Sequence, residues 1–256
     1  MIGPKLWSDH TVAAWSDHSK YHFRMRSGPR TSELVLAHVE GELAAGRLTL
    51  GGRLPAERAL AEQLGISRPS VREAIRALEV LGVVRTATGS GPEAGAVIVA
   101  DPAAGIGAAL RLHVATTGVA VSDVVQLRVL VEGWALREAS GRPDEAVFAH
   151  ASELLDEMDA ESDPDRFLDL DSAFHASLVG LCGNVLVAAV MTSVRGAVRS
   201  YIGTGATRLT DWTTTAERLR AEHRRIYDAV RSGEPDAAEH EVIAHITGYY
   251  RDSGLG

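Results

Sequence analysis

At 256 residues, 45% hydrophobic and 23% charged, the chain is a globular protein with room for two modest domains. Its wealth of Ala, Val and Leu against 5% aromatics suits packed helices better than a β-sandwich, and its single cysteine, Cys182, excludes an intrachain disulfide framework. A net charge of −8 opposes nucleic-acid binding by the chain as one body, yet six arginines face only four glutamates between Arg53 and Arg85, while acids crowd at Asp156, Glu157, Asp159, Glu161, Asp163 and Asp165.

Residues 1–30 show no sustained period, and an irregular arm is expected. Asp9, His10, Asp17 and His18 break the layout of a secretory signal, and no apolar run approaches the ~20 residues that span a bilayer, so a cytoplasmic protein is expected. The echo Trp7-Ser8-Asp9-His10, Trp15-Ser16-Asp17-His18 is too short to build a repeat fold. From Thr31 the residues Leu34, Val35, His38, Val39, Glu42 and Leu43 fall at helical spacing, with a stop by Gly46. After the turn Gly51-Gly52-Arg53-Leu54-Pro55, a short helix is expected over 56–64, with Leu60, Ala61 and Leu64 inward and Gly65 as its cap. Ser67 is a ready N-cap for the next helix and Pro69 is tolerated in its first turn. Val71, Ala74, Ile75, Leu78 and Leu81 then make one stripe before Gly82. Two β-prone stretches, 83–86 and 96–99, joined through Gly89-Ser90-Gly91, predict a two-stranded wing. Asp101-Pro102-Ala103 reads as a linker, and helices are expected over 104–116, 122–139, 143–160, 164–181, 184–201, 210–232 and 235–250. Short connections between them suggest an antiparallel bundle. The expected fold is mainly α: an arm (1–30), a winged helix-turn-helix (31–100) and an all-helical domain (101–256).

A helix, a tight turn and a second helix opening Ser67-Arg68-Pro69-Ser70-Val71-Arg72 is the layout of a recognition helix. In the major groove arginine can donate two bonds to a guanine edge, and serine can reach phosphate or base. The bland reading, arginines solvating an exposed face, leaves unexplained why the capped turn, the preceding helix and the ribbon agree. The run Arg53-Leu54-Pro55-Ala56-Glu57-Arg58, with Leu60-Ala61, Leu64-Gly65-Ile66-Ser67-Arg68 and Val71-Arg72-Glu73-Ala74-Ile75, closely resembles the GntR family of winged-helix repressors over about residues 31–99. The resemblance implies that Arg58, Ser67, Arg68, Ser70 and Arg72 contact operator DNA, and that a glycine wing tip, Gly89 or Gly91, reaches the minor groove. Pro92-Glu93-Ala94-Gly95 departs from the family by lengthening the wing and adding an acid.

Three polar groupings interrupt the helices that follow. Asp171 and His175 share a helix face and lie close enough to hold one ion, although such a pair alone is more often a surface pair. His223 and His245 fall on or beside the apolar stripes Leu219, Ile226, Val230 and Val242, Ile246, Tyr249. Three converging histidines with one carboxylate make a ligand set suited to Zn, Ni, Mn or Fe. Histidines 10, 18, 22, 38, 113, 150 and 240 read as structural or exposed. Arg128 and Glu132 make an intrahelical pair, with Leu127, Leu130 and Val131 expected to turn toward the core around it, and Gly183-Asn184 reads as a helix cap.

Taken together, Arg128-x-x-x-Glu132, Asp171-x-x-Phe174-His175, Gly183-Asn184, Glu222-His223-x-x-Ile226 and His245 resemble the ligand-binding FCD domain of the FadR subfamily of GntR, over about 121–250 and in its seven-helix form. That resemblance implies a central cavity, a metal, zinc first, held by Asp171, His175, His223 and His245, and an effector carboxylate near Arg128. It also implies a homodimer on a palindromic operator. Arg195 and Arg199 are the next candidates for the anchor. The expected function is therefore a DNA-binding repressor, not an enzyme, controlled by a small organic acid. The rival, a metal-dependent hydrolase, lacks a well-placed general base or nucleophile beside the ligands and has no use for the Arg53–Val99 module. A DNA-binding structural protein without effector leaves the polar bundle interior unexplained.

Overall fold

The computed structural model describes residues 31–87, 95–117, 119–208 and 211–254. The first helix, α1 (Thr31–Ala44), buries Val35 and Val39, while Leu34 stays exposed, so its inward stripe is narrower than the spacing suggests. α2 (Glu57–Leu64) ends at Gly65, whose φ of 66° lets its N–H turn back to the Ala61 carbonyl. α3 (Arg68–Val80) starts where its residues dictate. Ser67 Oγ accepts from the Ser70 N–H at 3.2 Å, and Pro69 occupies the first turn, where its missing donor is no loss. Val71, Ala74, Ile75 and Leu78 form the buried stripe, whereas Leu81, expected within it, is the exposed C-cap.

Strands β1 (Val84–Ala87) and β2 (Gly95–Ile98) pair antiparallel, Val84 opposite Ile98 and Ala87 opposite Gly95, and Arg53 bridges to Val97. Glu79 Oε1 accepts from the Thr86 N–H at 2.9 Å and from its hydroxyl at 2.6 Å, tying the ribbon to the end of α3. Val35, Leu60, Val71, Leu78, Val84 and Ile98 share one core. The expected wing-tip residues Gly89 and Gly91, the extra acid Glu93, and the arm with its Trp-Ser-Asp-His echo lie outside the described residues.

Seven helices follow: α4 (Pro102–Thr117), α5 (Val121–Ala139), α6 (Glu145–Ala160), α7 (Pro164–Gly180), α8 (Val185–Arg208), α9 (Trp212–Ser232) and α10 (Pro235–Asp252). Side chains mark their starts. Asp144, Asp163 and Asp211 each accept from a backbone N–H three residues on, and Asn184 Oδ1 accepts from Leu186 and Val187 at 3.1 Å. The Gly183-Asn184 pair is thus a cap, as expected. α8 runs past its expected end at 201 to Arg208. Gly203 and Gly205 fall within this extension, and a glycine costs a formed helix only about 1 kcal/mol. α5 lies along α10 and α8, α7 between α6 and α8, α9 against α6 and α10, and α4 along α8. Among the described residues no helix is long and apolar enough to cross a membrane.

α5 corrects one expectation. Leu127 and Leu130 face outward, Leu130 with 70% of its surface exposed, so neither surrounds Arg128. The inward face is instead Val124, Arg128, Glu132, Ala135, Leu136 and Ala139. Two charged residues occupy a stripe that is ordinarily apolar, which they can do only because partners on other helices meet them.

Candidate functional site

The exposed face of the first half gathers the residues expected to meet DNA. Arg68, Ser70 and Arg72 lie in the first turns of α3, with Ser67 capping it, and Ser67 Oγ stands 2.9 Å from Ser70 Oγ. Arg58, in α2, is exposed and lies 3.8 Å from Glu62. Arg72 makes a two-pronged pair with Glu57, Nε to Oε1 at 3.1 Å and Nη2 to Oε2 at 2.8 Å. The helix dipole adds a partial positive charge at the same place.

The second half buries a cluster of opposite character. Asp171 and His175 come from α7, His223 from α9 and His245 from α10, and each offers a donor atom within 4.8 Å of the others. His223 Nε2 lies 2.9 Å from Asp171 Oδ1, His175 Nε2 lies 3.3 Å from His245 Nε2, and both of these histidines lie 3.6 Å from Asp171 Oδ1. A divalent metal with bonds of about 2.0–2.2 Å separates neighbouring donors by about 2.8–3.8 Å for angles between about 90° and 120°. The four side chains fit such an ion in spacing and in chemistry.

Surrounding groups set their protonation. Burial, with the Arg195 guanidinium adding to it, pushes His175 down to about 3. Burial and then His245 lower His223, so both imidazoles keep a lone pair free. Burial alone would lower His245 as well, but Asp171 and Glu222 outweigh it and raise it. Its Nδ1 sits 2.9 Å from Glu222 Oε2, the second-layer contact that orients a ligating histidine. His175 Nδ1 lies 3.0 Å from Glu132 Oε2 but is not aligned for a hydrogen bond, so this contact is chiefly electrostatic.

Two arginines hold the carboxylates. Arg195, from α8, reaches Asp171 Oδ2 with Nη2 and lies 3.3 Å from Glu132 Oε2 with Nη1. Arg128 donates from Nε to Glu132 Oε1 at 2.7 Å and from Nη1 to the Tyr250 hydroxyl at 3.3 Å. Burial opposes both charged acids, yet Arg128 and Arg195 hold Glu132 well below the usual carboxylate range, and Arg195 does the same for Asp171. Arg128 also lines, with Asp171, His245, Leu219, Ile246 and Tyr249, a space of about 10 Å³, room for about one water. Arg199, by contrast, is half-buried and paired with Asp169 at 2.7 Å.

The expected quartet is therefore brought together, Arg128 shares a wall with two of its members, Asp171 and His245, and Arg195, named only as a substitute, is central. Sequence reasoning missed the contributions of Glu222, Tyr250 and Glu57. For Arg195 a signal existed, since it is the only charged residue between Val185 and Val198. Glu222 and Glu57 stood in the quoted motifs, but their partners, like that of Tyr250, became visible only through contacts between helices.

The family model described as bacterial regulatory proteins, gntR family, matches residues 31–93, and that described as FCD domain matches 123–248. The HTH-type transcriptional regulator LutR of Bacillus subtilis (strain 168) is 30% identical over 204 residues, 79% of this chain and 91% of its own. The Glc operon transcriptional activator of Escherichia coli (strain K12) is 24% identical over 221 residues, 84% of this chain and 85% of its own. Among solved structures, Streptococcus agalactiae GntR superposes with a TM-score of 0.61 at 23% identity, over 87% of this chain and 100% of that one, and has the same fold.

Proposed function

Because the chain belongs to the GntR family of bacterial regulatory proteins, as a DNA-binding transcriptional regulator with an FCD domain and not an enzyme, we propose that a small carboxylate bound beside a metal ion controls its affinity for an operator. One observation carries the reading: four buried candidate metal donors from three helices lie together, and two of them, Asp171 and His245, share a wall with the buried guanidinium of Arg128. Asp171, His175, His223 and His245 would hold a divalent metal, zinc before nickel, manganese or iron, which when bound supplies a Lewis-acidic anchor for a carboxylate oxygen. Arg128 would grip the same carboxylate through its planar fork. Arg128 and Arg195 already balance Glu132 and Asp171, so a bound cation adds uncompensated positive charge, and an anionic effector is what neutralises it.

The space at Arg128 admits about one water, not an organic acid. The acid would therefore have to displace side chains or helices, and an effector shifts an equilibrium only through such a difference between states. Arg58, Ser67, Arg68, Ser70 and Arg72 would meet the operator, with residues 31–100 as the reading unit and 101–256 as the sensing unit. Repression is the simpler sign of control, since an occupied operator excludes polymerase without a dedicated contact surface. A homodimer on a palindromic operator accords with the outward stripe Leu127, Leu130 and Trp134 on α5, and the cytoplasm is where such a protein meets DNA.

The test measures operator affinity with and without a panel of mono- and dicarboxylates, alongside elemental analysis. Wild type carries about one metal per chain, chelation lowers its melting temperature, and one acid shifts its operator affinity by about 5–150-fold. Arg128→Ala, less stable because buried Glu132 loses its nearest partner, keeps metal and DNA binding but loses the shift, and His175→Ala loses metal as well. A full response in Arg128→Ala, or a chain that takes up no metal, defeats the reading.

A further inference from the structure

The pairing of Arg72 with Glu57 leaves a specific set of donors free. A guanidinium presents two forks, one made by Nε–H with an Nη–H and one by the outer hydrogens of both terminal nitrogens. Glu57 accepts from Nε and Nη2, at 3.1 and 2.8 Å, and so consumes the first fork. The second has no partner among the described residues, and the Arg72 side chain is 52% exposed. Glu57 is itself fixed. It is the first residue of α2, where the helix dipole favours a carboxylate, and Arg68 Nη2 approaches the same Oε2 to 3.9 Å. The acid thus sits on one helix and sets the plane of a guanidinium on the next.

A phosphate contact would gain little from this arrangement. Beside a DNA backbone a carboxylate is repelled, and it cancels the charge through which an arginine attracts phosphate. A base edge asks for something else: two parallel donors held at a fixed angle, with net charge of small account. We propose that Glu57 is a positioning residue for sequence readout: it locks one fork of Arg72 so that the other donates to O6 and N7 of a single guanine in the operator half-site. The proposal rests on reading α3 as the recognition helix.

The probe is the duplex that wild-type protein selects from a random library, together with versions in which each guanine in turn is 7-deazaguanine, which lacks the N7 acceptor. Wild type should lose affinity at one guanine, by up to the roughly 5–150-fold of a complete bidentate pair since one of its two bonds is removed, and Arg72→Ala should be indifferent to that same change. Glu57→Gln can accept only one of the two bonds and turns an N–H₂ toward the other donor. It should lose discrimination at that position alone, with affinity for unselected DNA unchanged or raised because a negative charge is gone. Arg72→Lys, which keeps the charge and removes the fork, should behave like Glu57→Gln and reports independently should the Glu57 variant fold poorly. Full discrimination in Glu57→Gln, an equal loss on selected and unselected DNA, or tighter binding of the selected duplex, as expected of a clamp that DNA must displace, each overturns the proposal. Failure of the underlying reading looks different: no duplex is selected, or Arg68→Ala and Arg72→Ala change nothing.

Discussion

Arg128 and Arg195 stand against Glu132 and Asp171 in the interior of the second half, while His175 and His223 are kept neutral by burial. Removing an ion from water costs several kcal/mol, so none of these four charges is tolerable without its partners. Arg195→Met removes the arginine that faces Asp171, leaves Glu132 with Arg128 alone, and should cost the metal-free protein about 3–5 kcal/mol in denaturant-induced unfolding. A loss below about 1 kcal/mol, the range of exposed pairs, would mean that solvent already reaches them. The same residues set a response to acid. The folded-state affinities of His175 and His223 for a proton lie below the ordinary value, so below about pH 6.5 the unfolded chain binds protons that the folded chain does not. Stability present above that pH is lost as it falls. His245 is shifted the other way, but it is one group against two. The unfolding midpoint of the metal-free protein should drop between pH 7 and pH 5, and His175→Asn should flatten the drop. A midpoint that holds or rises on acidification contradicts this account.

The elements that were easiest to read in the sequence are those whose ends are written in local chemistry. Ser67 with Pro69, Asp163 with Pro164, and the left-handed Gly65 and Gly233 act within one turn of themselves and need no tertiary partner. Asp171 and His175 were legible for the same reason, four residues apart on one helix. α5 was not, because the rule that apolar residues face inward fails where Arg128 and Glu132 meet Arg195 and Tyr250 from distant helices. Ser67 separates two roles that the sequence places on one residue, cap and DNA contact. Ser67→Ala should destabilise the first half by about 1 kcal/mol through the lost bond to the Ser70 N–H. Ser67→Asp keeps the cap, and so the stability, but sets a negative charge where phosphate approaches and should abolish operator binding. Thermal unfolding and gel shift on the two variants read the roles apart. An Asp variant that binds DNA as wild type does would remove Ser67 from the contact surface.

For the molecule as a whole, the question is how a site enclosed by α5, α7, α9 and α10 can reach α3. Arg195, which grips Asp171, lies two residues from Ser193 on α8, and Ser193 Oγ lies 3.0 Å from the Ala103 carbonyl oxygen in the first turn of α4. Two residues on, Gly105 lies against the backbone at the end of α3: a methyl group there would come within 2.6 Å of the Leu81 carbonyl oxygen. Gly82, at φ 70°, meets the Asp101 carbonyl in the same way from the other side. Bare backbone meets bare backbone at this joint, so a shift of α8 has no soft side chain to absorb it before α3. Gly105→Ala tests the connection without breaking its parts. Alanine is the better helix former by about 1 kcal/mol, so α4 itself is not weakened, but the methyl must push Leu81 away. Metal content and carboxylate binding should stay at wild-type values, while the carboxylate-induced change in operator affinity, about 5–150-fold for typical coupling, should fall toward no change. Affinity without the acid should change as well, since α3 is displaced before any ligand binds. Operator titrations with and without the acid that acts on wild type give both numbers. A Gly105→Ala protein with wild-type affinity and a wild-type response would show that the signal reaches α3 by another route, leaving the contact between α4 and α3 as structural packing alone.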